Sequence, residues 1–272
     1  MQQQSAVGIA QRPGLEAKAN VELRESALKE ERRETMKPYR GNAIAVGVLL
    51  IACSAAAIVS AIPLGSTLDG SGYLSKLAVN GNAVVLTALI QFLWAATAVG
   101  IAVGLYPVLR KYNRSLALGA VVGRTVEGML ILVGTVSLLA LFTLSQGAGT
   151  GAAPSYQAVG SALLAVRDWG PDFLGGLSFG TAALMYYYLL YRSRLVPRWL
   201  SGWGLIGAGL SIGMTVYSGF TQEFGVTTVS MVVNIPGLAL QEMVLAIWLI
   251  VKGFKPSAFA SVASAGGSGG RS

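Results

Sequence analysis

The chain contains no histidine, which excludes Ser-His-Asp and Cys-His nucleophile systems and histidine-ligated metal sites. Its single cysteine, Cys53, can make no internal disulfide and says nothing about redox compartment. Charge is scarce as well, at 12% of residues against roughly 25% in an ordinary soluble domain. The shortage is uneven. Residues 1–40 hold eight of the 20 basic and six of the 12 acidic residues, leaving twelve and six for residues 41–272. A water-soluble fold of that length could not be coated by so few charges. Together with 53% hydrophobic residues and a mean hydropathy of +0.60, this predicts an integral membrane protein in a lipid bilayer, with no nucleic-acid partner.

What is present is a series of long apolar runs. A helix rising 1.5 Å per residue needs about 20 apolar residues to cross a core of roughly 30 Å. No charge occurs between Gly41 and Leu68 or between Leu77 and Leu109, which places spans at 43–63 and 83–108. Further spans are expected at 116–144, at 174–191 between Asp172 and Arg192, at 200–219 and at 229–251. The expectation is an all-α, polytopic fold of six transmembrane helices. It divides into a charged N-terminal arm (1–40), a transmembrane domain (41–255) and a disordered small-residue tail (256–272). Residues 14–36 read as a charged helix with Glu25 and Lys29 at supporting i,i+4 spacing, stopped by Pro38. A cleavable signal peptide is not expected, since its apolar segment would begin sooner. The segment SYQAVGSALLAVRDW after the Gly/Ser-rich 146–155 reads as a short surface helix.

Lys and Arg alternate between rich and poor connections. The stretch before the first span holds eight and the next connection only Lys76; then come Arg110, Lys111 and Arg114, only Arg167, then Arg192, Arg194 and Arg198, none, and finally Lys252, Lys255 and Arg271. By the positive-inside tendency both termini are cytoplasmic, in a multi-pass protein of the inner (plasma) membrane. Tyr106, Tyr186, Tyr187, Tyr188, Tyr191, Trp199, Trp203 and Trp248 fall near the inner ends and read as an interfacial belt.

Several motifs match only on paper. GLSFG (176–180) and GLSIG (209–213) fit the nucleophile-elbow pattern, but each lies inside a span and no histidine base exists. GWGLIG (202–207) fits a dinucleotide fingerprint without the preceding strand. Glycines four apart, at 100/104, 119/123, 176/180 and 209/213, read instead as close helix contacts.

Three charges fall at membrane depth: Arg124 and Glu127 in the third span and Glu242 in the sixth. Each costs about 2.5–3.5 kcal/mol at a helix centre, so each needs a partner or water. Spacing i,i+3 puts Arg124 and Glu127 on one helix face. Counting residues inward puts Arg124 roughly 14 Å and Glu242 roughly 15 Å from the inner boundary. If these two helices are neighbours, Arg124 bridges both carboxylates. Such a triad is either a clamp between helices or a site for a proton, ion or ligand. Gln91, Asn234 and Gln241 are secondary polar candidates, and Pro236–Gly237 should break the sixth helix.

The stretches LYPVLRKYNRSLALGAVVGRTVEGMLILVGTVSLLALFTLSQ, YLLYRSRLVPRWLSGWGLIG and LALQEMVLAIWLIVKGF resemble domain-of-unknown-function family 4386, bacterial polytopic membrane proteins. The likeness covers roughly residues 40–256. Arg124, Glu127, Glu242, Tyr106, Pro107, Arg194 and Pro197 match its motif positions. The resemblance implies a multi-helix membrane fold and a bacterial origin, and it implies no reaction. The leading expectation is a non-enzymatic membrane protein that binds or moves a small solute or proton, with no catalytic residue, metal or cofactor assigned. The alternatives are an accessory subunit, with a membrane protein or a second copy as partner, and an intramembrane enzyme using Glu127 or Glu242.

Overall fold

In a computed structural model of the protein, residues 13–70, 72–148, 154–225 and 227–259 are described, and among them there is no strand. The chain divides into two units, Met1–Pro38 and Tyr39–Ser272. Helix α1 (Pro13–Val59) runs through Pro38 rather than stopping there. A proline removes one backbone donor. The helix formers before it and the apolar run after it carry the helix across. The side chains of Glu25 and Lys29 lie outside the description, as do residues 260–272 of the expected tail.

Within the second unit come α2 (Tyr73–Val79), α3 (Gly81–Leu109), α4 (Arg114–Ala148) and α5 (Pro154–Arg167). A π-helical turn (Asp168–Gly175) leads into α6 (Gly176–Ser193), followed by α7 (Arg198–Thr221). The last helix is α8 (Thr228–Asn234), a second π turn (Ile235–Ala239) and α9 (Leu240–Val251). Six segments are long and apolar enough to cross a membrane: Tyr39–Val59, Gly81–Leu109, Arg114–Ala148, Pro154–Ser193, Arg198–Thr221 and Thr228–Val251. The fourth differs from its expected 174–191. The surface helix and the span form one helical stretch, because the π turn absorbs Pro171 without ending it.

Large apolar side chains point outward on these segments, among them Leu89, Phe92, Val136, Ile206, Phe220 and Ile247. Leucines and small residues fill most of the interior, with Tyr73, Tyr186, Tyr187 and Phe254 among them. A Cβ on Gly104 would lie 2.7 Å from Val46, and one on Gly100 would lie 3.2 Å from Leu49, so these glycines seat α1 on α3. Gly119 and Gly123 seat α4 against Met185 and Ala182 of α6. Gly176 and Gly180 meet Thr215 and Ile212 of α7. Gly209 and Gly213, by contrast, face open space; their part is taken by Gly204, against Tyr187, and Gly207, against the Gly237 carbonyl. Tyr186 and Tyr187 are not belt residues. Both are fully buried, with ring centroids 4.4 Å apart, whereas Tyr188, Tyr191 and Trp199 are exposed.

The basic connections gather at one end of the second unit. Lys111 lies 4.5 Å over the Tyr39 ring, which stacks on Phe259 at 4.8 Å. Residues 256–259 thus form an ordered helical turn at the start of the expected tail. The Lys255 amide donates to the Leu195 carbonyl at 2.8 Å. The Arg40 guanidinium donates to the carbonyls of Leu249, Ile250 and Val251, at 3.3, 2.7 and 3.2 Å, capping the C-terminus of α9. At the opposite end, Leu64, Tyr73, Leu74 and Leu77 pack on Val84, Leu138 and Leu141 in a second apolar cluster.

Candidate functional site

Arg124 and Glu127 sit on the inward face of α4, 2% and 5% exposed. Helical spacing brings Arg124 Nη1 to 3.0 Å from Glu127 Oε2. The remaining donors are also placed. Nε donates to the Ala98 carbonyl of α3 at 3.1 Å, Nη2 lies 3.6 Å from Cys53 Sγ of α1, and the Phe179 ring stands 5.0 Å from the guanidinium carbon. A guanidinium this deep requires such partners, because its planar fork has five N–H donors to satisfy.

Glu242 is held differently. Its Oε2 accepts the Ser54 hydroxyl at 3.1 Å, and among the described residues it makes no ion pair within 4.0 Å. The expected bridge from Arg124 to both carboxylates is therefore absent. The reason is packing: α4 lies on α3 and α6, while α9 lies on α7 and the second π turn, and Gly47 of α1 meets Ala246 and Ile250. Arg124 and Glu242 line one cavity instead, with no ion pair between them.

That cavity, of about 360 Å³, is lined by Arg124, Glu127 and Glu242 together with Cys53, Ser54, Trp94, Phe179, Ser211, Thr215 and Asn234. Both π turns border it, the first through Pro171, Asp172 and Gly175 and the second through Leu238 and Ala239. Each turn contains a proline, Pro171 or Pro236. A proline inside a helix leaves a carbonyl without its usual donor, and a wider π turn accommodates the mismatch. The Trp203 indole N–H donates to the Pro236 carbonyl at 2.9 Å and fixes the second turn.

Towards the end remote from the basic residues, a second cavity of about 700 Å³ forms a vestibule. It shares Ala57, Trp94, Ile131, Pro171 and Asp172 with the inner chamber. Asp69, Asp168, Arg167 and Gln91 line it. Gln91 accepts the Thr135 hydroxyl at 2.9 Å. Asn234 borders the inner chamber with its Oδ1 buried and accepting no hydrogen bond. Gln241 does not face either space. It is fully buried, accepts the Tyr187 hydroxyl at 2.5 Å and donates to the Leu200 carbonyl at 3.0 Å, tying α9 to α6 and α7.

Sequence reasoning missed Asp172, which read as a boundary residue before the fourth span, and Ser54, whose pairing with Glu242 spans 188 positions. Asp172 had one usable signal: it follows a proline inside a stretch of otherwise helical pattern. Among the described residues no group of three or more Cys, Asp or Glu side chains is arranged to hold a metal ion.

The fold is an all-helical bundle with six membrane-length segments and a charged internal chamber. Residues 45–253 match the family model described as Domain of unknown function (DUF4386), and the chain belongs to that family. No curated protein and no solved structure matches the chain.

Proposed function

We propose that this is a non-enzymatic, multi-pass protein of the plasma (inner) membrane that binds or moves a small solute or a proton through the chamber around Arg124, Glu127 and Glu242. One observation carries the reading: all three membrane-depth charges line a single cavity of about 360 Å³. Charges that served only to lock helices would pack dry against one another, since an open void forfeits contacts and solvates the pair. The carboxylate of Glu242 has one hydroxyl partner and open space beside it, as a group reserved for a ligand or proton would. Helix interruptions beside buried carboxylates also recur at the sites of membrane transporters. The gathering of Arg40, Lys111 and Lys255 at one end supports both termini lying on the cytoplasmic side, with the vestibule opening on the other.

The test is a flux and binding screen on the purified chain in liposomes, with and without a pH gradient. Signal that depends on the protein and is lost in Glu242→Gln is expected. A silent screen in both conditions, with the variant and the wild type indistinguishable, would count against the reading.

A further inference from the structure

Resting on the reading of the chamber as a binding site, the surface lining the two cavities assigns its occupant. We infer that the chamber takes a small protonated amine carrying an apolar body, entering through the vestibule, with Glu242 as its counter-charge.

Three features lead there. The first is charge. The vestibule and chamber together are lined by five carboxylates, Asp69, Glu127, Asp168, Asp172 and Glu242, against two guanidiniums, Arg124 and Arg167. Arg124 is already committed to Glu127, Ala98 and the Phe179 ring, so the formal surplus is negative and is concentrated on Glu242 at the chamber and on the aspartates at its mouth. An entrance of net negative charge, three aspartates against Arg167, concentrates cations. The second is hydrogen-bond polarity. Glu242 Oε1 accepts no hydrogen bond among the described residues, and Asn234 Oδ1 is buried without one. The free Glu242 oxygen is an acceptor only and calls for a ligand that brings an N–H or O–H donor; the unpartnered Nε of Arg167 stands in the vestibule, away from Glu242. The third is the remaining wall. Trp94, Phe179, Ile131, Leu238 and Ala57 are apolar, and an ammonium group beside aromatic rings gains a further cation–π attraction. A bare metal ion fits poorly, because the carboxylates are spread along the path rather than converging on one point.

The experiment is isothermal titration calorimetry of the full chain in detergent with three probes of one skeleton: 2-phenylethylamine, which is cationic at neutral pH, neutral 2-phenylethanol and anionic phenylacetate. The amine is expected to bind at least tenfold more tightly than either of the others. Glu242→Gln should remove that preference, and Asp172→Asn, at the exposed chamber mouth, should weaken the amine severalfold at low salt without altering the melting profile. The second variant keeps the test valid if the first fails to fold. Equal or tighter binding of the alcohol or the carboxylate would overturn the amine assignment while leaving the chamber a binding site. Binding of none of the three would overturn the amine assignment, while the flux screen with and without a pH gradient decides the binding reading separately.

Discussion

Replacing Arg124 with alanine isolates what the buried ion pair contributes. Glu127, 5% exposed, would keep its carboxylate in the chamber wall without the guanidinium now 3.0 Å away. Breaking one side of a buried pair costs about 3–5 kcal/mol, and the lost bond to the Ala98 carbonyl adds about 1 kcal/mol. At about 2–4 °C per kcal/mol for a chain of this size, the melting temperature in detergent should fall by at least about 8 °C. The double change Arg124→Met with Glu127→Met removes both charges and refills the space with apolar volume, so it should recover more than half of that loss. Glu242→Gln exchanges one acceptor of a single hydroxyl bond and should stay within about 1 kcal/mol of the parent. The assay is thermal unfolding followed by intrinsic fluorescence. A double variant no more stable than Arg124→Ala, or Glu242→Gln the most damaging of the three, would refute the partner assignment.

Two other expectations rest on separate parts of the molecule. Gly207→Ala should destabilise strongly, because its Cβ would press on the Gly237 carbonyl, whereas Gly209→Ala and Gly213→Ala, which face open space, should be neutral or gain up to about 1 kcal/mol each in helix propensity; parallel melting curves decide it. Reporter fusions after Gly70 and after Gly225 should be extracytoplasmic and one after Ser193 cytoplasmic; a reversed pattern would contradict the sidedness drawn from the basic end.

The helices were legible wherever charge-free runs reached membrane length, because that length follows from bilayer thickness alone. Local spacing was equally informative: three residues apart on a helix, Arg124 and Glu127 had to share a face. Pro236–Gly237 announced an interruption, although the backbone widened into a π turn instead of breaking. Relations between helices were not legible. Ser54 meets Glu242 because α1 packs on α3 at Gly100 and Gly104 and on α9 at Gly47. Tyr186 and Tyr187 matched a belt by position along the sequence, yet the azimuth of α6 turns them into the core. Gln241 and Glu242 illustrate the same limit: neighbours in sequence point about 100° apart on a helix, so one became a buried tie and the other a chamber wall. A charge at the edge of an apolar run reads as the end of a span, yet Asp172 stands where the two cavities meet.

If water and small solutes reach the chamber beside Glu242, a thiol at position 54 is open to them. In a Cys53→Ala background, Ser54→Cys places the chain's one thiol at the chamber wall in place of the hydroxyl 3.1 Å from Glu242. In intact membranes, a small water-soluble methanethiosulfonate supplied from the vestibule side should modify it, and more slowly when 2-phenylethylamine is present. A thiol that stays unmodified in membranes from either side, yet reacts at once after unfolding in detergent, would mean a sealed chamber and would contradict the account.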